Sequence, residues 1–222
     1  MSLRTSIQRQ RMTKQGGVLP SGYTECQYIE SSGTQYIDTR YIIGVYSGIY
    51  INFIGVSVSA RADNFPFGTR SASGGDTRWW LNVKTPNINI EYGYGQFYHT
   101  SLLFQLGTPY QLAFIYKNDY VVLTQGTQEF RIKKYPISVF TNMNTLWVFG
   151  CNASGLQDAK LCMKLYECIV SEGEDDVMNF IPALDKNGRP CLFDIVSRQT
   201  FYNNGSGEFG YETKDGVYVA PR

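Results

Sequence analysis

A chain of 222 residues can bury one sizeable core without disulfides or metals, so a single large domain is expected. Aromatic residues make up 15% and charged residues only 18%, a balance that argues against helices rich in Ala, Glu and Lys and for strands. The net charge of +1 excludes a global field that would steer nucleic acid or acidic polymers, and leaves only local clusters to argue from.

The first cluster opens the chain. Arg4, Arg9, Arg11 and Lys14 lie within residues 1–20 with no acid among them, and Gly16-Gly17 closes the stretch. It has no apolar h-region, and nowhere does the chain hold the run of about 18 apolar residues that spans a membrane. Synthesis and folding in a cytoplasm, with no membrane partner, are therefore expected. A boundary follows: an arm over 1–17, helical or extended, then one domain over 18–222. Such an arm either orders on an acidic surface or is an ordinary solvated terminus. Nucleic acid is a lesser option, because the domain behind the arm is neutral.

From residue 23 onward, short β-branched and aromatic runs are broken by Gly, Asn, Asp or Pro, the pattern of an antiparallel sandwich or barrel. The expected strands are CQYIES, QYIDTRY, GIYINFIGVSVSA, FPFGTR, RWWLNV, YQLAFIYK, YVVLTQ, EFRIKK, LWVFGC, AKLCMKLYECIV, PCLFDIV and TFYNN. Asn118-Asp119 and Asn187-Gly188 mark tight hairpins, since Asn and Gly tolerate positive φ. Helical periodicity is nearly absent, although EGEDDVMNF, 172–180, suggests one or two turns before Pro182.

In RWWLNV, alternation sets Trp79, Leu81 and Val83 on one face and Arg78, Trp80 and Asn82 on the other. An exposed Trp80 beside Arg78 and Asn82 could stack on a sugar while its neighbours take the hydroxyls. The alternatives are that Trp80 lies under the IEYGYGQFY loop or faces a neighbouring subunit. Tyr92 and Tyr94, flanked by Gly93 and Gly95, are read as lining a loop-borne site.

Catalytic patterns are sparse. Paired carboxylates spaced E-x-D-x-x-E on one strand, which place acid and nucleophile about 5 to 5.5 Å apart, do not occur. Glu172, Glu174, Asp175 and Asp176 break that spacing, lack the calcium-loop pattern and read as a solvated turn. The sole histidine, His99, has no G-x-S-x-G elbow, though a Cys–His pair stays open. The odd set Cys26, Cys151, Cys162, Cys168 and Cys191 has no C-x-x-C spacing, so free buried thiols, no metal and no cofactor are expected.

LPSGYTECQYIESSGTQYIDTRY (19–41) and NFIPALDKNGRPCLFDIVSRQTFYNNGSGEF (179–209), with FPFGTRSASGGDTRWWLNV (65–83) between them, resemble a family of concanavalin A-like, laminin-G-like lectin domains. Such domains are frequent in structural proteins of phages that infect gut bacteria. The resemblance implies an all-β, antiparallel jelly-roll β-sandwich whose first and last strands lie near one another. In the opening stretch Tyr28, Glu30, Tyr36 and Asp38 would face water, Ile29 and Ile37 the core, with SSG as the corner. The family offers no fixed ligand residues to carry over.

A lectin-type sandwich, a basic arm, free cysteines and no export signal together suggest a protein assembled in the host bacterial cytoplasm and carried on a virion. The expected function is a non-enzymatic bacteriophage structural protein of the capsid-decoration or head-fibre type. Its arm would dock on other virion proteins through Arg4, Arg9, Arg11 and Lys14. Its sandwich would offer Arg78, Trp80, Asn82, Tyr92 and Tyr94 to bacterial or mucosal glycans, in a homo-oligomer or in many copies. The alternatives are a phage tail or receptor-binding protein, a carbohydrate-active enzyme module, or a domain with no ligand whose aromatic residues are subunit contacts.

Overall fold

The computed structural model describes residues 19–58, 64–71, 77–84, 86–94, 97–117, 120–133, 144–158 and 161–222. They form 19 strands in two sheets, with no helix among them. In the larger sheet the order is β10 (Gln128–Lys133), β9 (Tyr120–Gln125), β8 (Pro109–Lys117), β3 (Ser47–Val58), β14 (Leu161–Glu172), β1 (Thr24–Glu30), β15 (Asp175–Leu184), β16 (Pro190–Asp194) and β17 (Thr200–Phe201). A ribbon of β18 (Gly210–Thr213) and β19 (Tyr218–Val219) attaches to it through β1. The smaller sheet runs β13 (Leu156–Asp158), β12 (Cys151–Ala153), β4 (Phe67–Arg70), β5 (Thr77–Lys84), β6 (Asn87–Tyr94) and β7 (Phe97–Leu103), with β11 (Thr145–Val148) joining β4 to β2 (Ile37–Ile42). Pairing is antiparallel except between β12 and β4.

The sheets stack because each strand turns alternate apolar side chains inward. Ile49, Ile51 and Phe53 of β3, Leu112 and Phe114 of β8 and Met163 and Leu165 of β14 face Phe67, Trp79, Leu81 and Ile90 of the smaller sheet in one core. Phe114 crosses the gap, with its ring 4.9 Å from Trp79 and 6.4 Å from Tyr92.

The strands flanking both expected turns pair, although Asn118-Asp119 themselves lie outside the described residues. β8 pairs with β9 up to Lys117 opposite Tyr120, and β15 with β16 up to Leu184 opposite Pro190. In the second, Gly188 takes φ +77°, which its missing Cβ allows, and Asp185 Oδ1 accepts the backbone N–H groups of Asn187 at 2.8 Å and Arg189 at 2.9 Å. Burial pushes the Asp185 carboxyl upward, but these bonds and the Tyr202 hydroxyl outweigh it and hold the group below its ordinary range.

Two expectations are corrected. Residues 172–180 form no helical turn: β14 runs to Glu172, Gly173-Glu174 turns the chain, and β15 begins at Asp175, opposite Glu172. The acids there carry no helical apolar stripe, and Pro182 sits within β15 where that strand passes from β14 to β1, a place where no ladder N–H is needed. Tyr28 and Glu30 do point away from Ile29, yet both are buried. Lys164 donates to the Tyr28 hydroxyl at 2.9 Å, that hydroxyl donates to Glu212 at 2.7 Å, and Tyr218 donates to Glu30 at 3.3 Å. Burial, reinforced by Glu212, raises the Tyr28 phenol above its usual range.

The two segments that carry the family resemblance lie against each other. Asn203 and Asn204 side chains accept the backbone N–H groups of Tyr36 at 3.3 Å and Asp38 at 3.0 Å. In return Thr34 donates to the Ser206 carbonyl at 2.9 Å, and buried Gln35 to that of Glu208 at 3.1 Å. A chain corner leaves backbone groups outside any ladder, and small polar side chains satisfy them. This is why the opening stretch is rich in Ser, Thr and Gln.

Candidate functional site

The face of the smaller sheet turned away from the core gathers the unusual chemistry. In β5 the expected alternation holds: Trp79, Leu81 and Val83 are in the core, and Arg78, Trp80 and Asn82 share the opposite face. Cross-strand register then builds a row over five strands, Asp38, Trp147, Gly68, Trp80 and Glu91. The two tryptophans stand two strand spacings apart, roughly 9.5 Å.

Gly68 is what lets the row close up. A Cβ there would lie 2.6 Å from Trp80 Cβ and 3.2 Å from Cys151 Sγ, so only glycine admits both neighbours. Phe65, Trp80 and Cys151 form a small apolar cluster, with the Phe65 and Trp80 rings 4.8 Å apart. Over the indole lie two guanidinium groups, Arg78 at 5.2 Å and Arg70 at 5.9 Å from the ring centroid. Arg78 also donates to buried Glu91 at 2.8 Å, which fixes the fork in place. Farther along the row, Tyr36 stacks on Trp147 at 4.0 Å.

Both indole N–H groups, of Trp80 and of Trp147, are shielded and find no acceptor among the described residues. An unmet buried donor costs about 1–3 kcal/mol, so two on one row call for an explanation.

The expected site is altered in three ways. Trp80 is not exposed: only 4% of its surface meets solvent, because Phe65, Cys151 and the arginines cover it. Stacking of a sugar on its open face is therefore replaced by a ring that supports cations. Asn82 is likewise buried and accepts the Asn64 backbone N–H at 3.2 Å, a structural duty. Tyr92 is not on a loop: it lies within β6, opposite Trp79, and turns into the core, while Gly95-Gln96 of IEYGYGQFY lie outside the described residues. Tyr94 ends β6, with its side chain outside the described residues, as is that of His99. Arg4, Arg9, Arg11 and Lys14 lie outside the described residues altogether. Arg70, Glu91 and Trp147 were not singled out by sequence. The alternation of Trp147 between buried Leu146 and Val148 is the signal that could have found it.

Among the described residues, no cluster of three or more His, Cys, Asp or Glu is placed to hold a metal ion. All five cysteines are unbridged, and burial pushes the thiols of Cys26 and Cys191 up to about 12 and that of Cys168 upward as well, so none of these three is a ready nucleophile.

No protein-family model matches the chain, and no curated protein sequence does. Solved structures do. The chain aligns with a provisionally assigned carbohydrate-binding protein of Bacteroides ovatus at a TM-score of 0.58 and 14% identity, over 88% of this chain and 62% of that one. It thus spans less than two thirds of that protein's length. It aligns with the CBM40 of the Ruminococcus gnavus IT-sialidase at 0.53 and 15%, over 72% and 94%, and with the same module bound to α2,3 sialyllactose at 0.54 and 15%, over 73% and 94%. At such identities the likeness establishes a shared β-sandwich fold, the one found in carbohydrate-binding domains.

Proposed function

We propose that this domain is a non-enzymatic glycan-binding module whose ligand lies on the outer face of the smaller sheet, over the Trp80–Trp147 row. The observation that carries this reading is the pair of guanidinium groups, Arg70 and Arg78, over one indole at the middle of that face, with Arg78 braced by buried Glu91. A planar fork fixed in advance, as that of Arg78 is, takes sugar oxygens without losing much side-chain freedom. The acceptorless indole N–H groups beside them would be met by ligand hydroxyls once the covering side chains give way. A shallow site of this kind binds weakly as a single copy, and display of many copies raises avidity.

A multivalent preparation on an array of bacterial and mucosal glycans tests this. Binding is expected, and Arg78→Ala or Trp80→Phe should each weaken it at least about tenfold while the chain stays folded. Absence of binding across the array, or an Arg78→Ala variant that binds as the native chain does, would refute the reading.

The finer reading is a bacteriophage virion protein of the decoration or head-fibre type, with a tail or receptor-binding role as the alternative. Its support is the sequence resemblance over 19–41 and 179–209 and the four cations of the arm. Deleting residues 2–15 should release the protein from particles without unfolding it, and a truncated form that still incorporates overturns the docking role. Hydrolysis of common bacterial polysaccharides by the purified chain would replace this reading with that of a carbohydrate-active enzyme module.

A further inference from the structure

We propose that β10 is the interface for a second copy of this chain, which adds its own β10 antiparallel across a two-fold axis. Among the described residues β10 pairs with β9 alone, so one row of its backbone N–H and C=O groups stands at the margin of the larger sheet. β7 holds the same position in the smaller sheet. Between the two margins lies an open groove of about 530 Å³, lined by Ser101, Leu102 and Leu103 on one side and Gln128, Glu129 and Phe130 on the other. Leu103 leaves 63% of its surface in solvent.

A sheet margin is commonly guarded by charges that repel a copy of itself. The charges on β10 do the opposite. Phe130 packs against the core, and its neighbours Glu129 and Arg131 share the other face, where the guanidinium Nε donates to the carboxylate at 2.5 Å. These side chains are largely solvated, 64% exposed for Arg131 and 32% for Glu129, so the pair within the strand adds little stability by itself. When a copy pairs antiparallel with Phe130 on the two-fold, Glu129 of each chain comes opposite Arg131 of the other. Two cross-strand ion pairs form on one face and two Phe130 rings adjoin on the other, which carries the core across the joint. The order acid, aromatic, base is complementary to its own reverse, and this selects a second copy over an unrelated strand. The added strand also closes one side of the groove and brings Leu103 under cover.

Sedimentation velocity of the full chain over a concentration range tests the proposal, and it is independent of any glycan. A monomer–dimer equilibrium is expected. Reversing one charge, E129R or R131E, places like charges opposite each other twice and should weaken the dimer at least about tenfold. The double reversal E129R/R131E restores opposite pairs and should return the native dissociation constant, a rescue that a folding defect would not show. A chain that stays monomeric at its highest soluble concentration, a dimer indifferent to both single reversals, or a double variant that is not rescued overturns the assignment.

Discussion

Trp79→Ala is expected to lower the free energy of unfolding by about 4 kcal/mol, measured by urea denaturation, because large aromatic-to-Ala changes in cores cost about 3–5 kcal/mol. The indole is 99% shielded, being 1% exposed, and lies 5.3 Å from Phe67 within its own sheet and 4.9 Å from Phe114 across the gap. Its removal would leave a void between two sheets that their other side chains hold apart, so collapse cannot fill it. Since domains are stable by about 5–15 kcal/mol, the variant would keep little reserve. The adjacent Trp80 points the other way and packs on one small cluster, and its replacement should cost less stability and more ligand affinity. A Trp79→Ala loss below about 1.5 kcal/mol would contradict the core assignment.

Asp194→Ala should be somewhat less severe, at about 2–3 kcal/mol. The carboxylate is buried at the end of β16. Its Oδ1 accepts the N–H groups of Asn179 at 2.7 Å and Val196 at 3.1 Å, and its Oδ2 accepts the Ser197 N–H at 3.0 Å and hydroxyl at 2.5 Å. Alanine would remove the acceptor of three backbone donors, Asn179 in β15 and Val196 and Ser197 in the following turn, of which the last two can turn to water. Asp194→Asn keeps the Oδ1 bonds and lets the Ser197 hydroxyl swing round to accept, so it should cost roughly half as much. The comparison of both variants by thermal and urea unfolding checks the argument, and an alanine variant within about 1 kcal/mol of native would refute it.

Period-two alternation is a local property, and what depended on it alone was readable from the amino-acid order. YVVLTQ coincides with β9, RWWLNV divides its faces as the pattern demands, and Asn187-Gly188 forms the tight hairpin expected of it. Glycine misled where it flanked aromatics: Gly93 beside Tyr92 and Tyr94 reads as a loop signal, yet cross-strand pairing with β5 keeps the segment extended. The site was half legible for a related reason. That Trp80 leaves the core follows from its neighbours in the chain, whereas its covering by Phe65, Cys151 and Arg70 depends on strands brought together from far apart. Trp147 joins the row only through the register of β11 on β4, which no short window of sequence contains.

The position of β1 has a consequence for biogenesis. β1, the earliest of the described strands along the chain, occupies the middle of the larger sheet, yet Ile29 waits for Leu165, Thr24 for Leu184 and Cys26 for Thr213 before its margins are matched. Contacts so distant along the chain slow folding, and the emerging polypeptide must carry an unmatched, self-adhesive segment until those partners are made. Maturation of this sandwich is thus a late event, gated by translation of β14, β15 and β18 and dependent on the nascent chain remaining apart from its siblings until then.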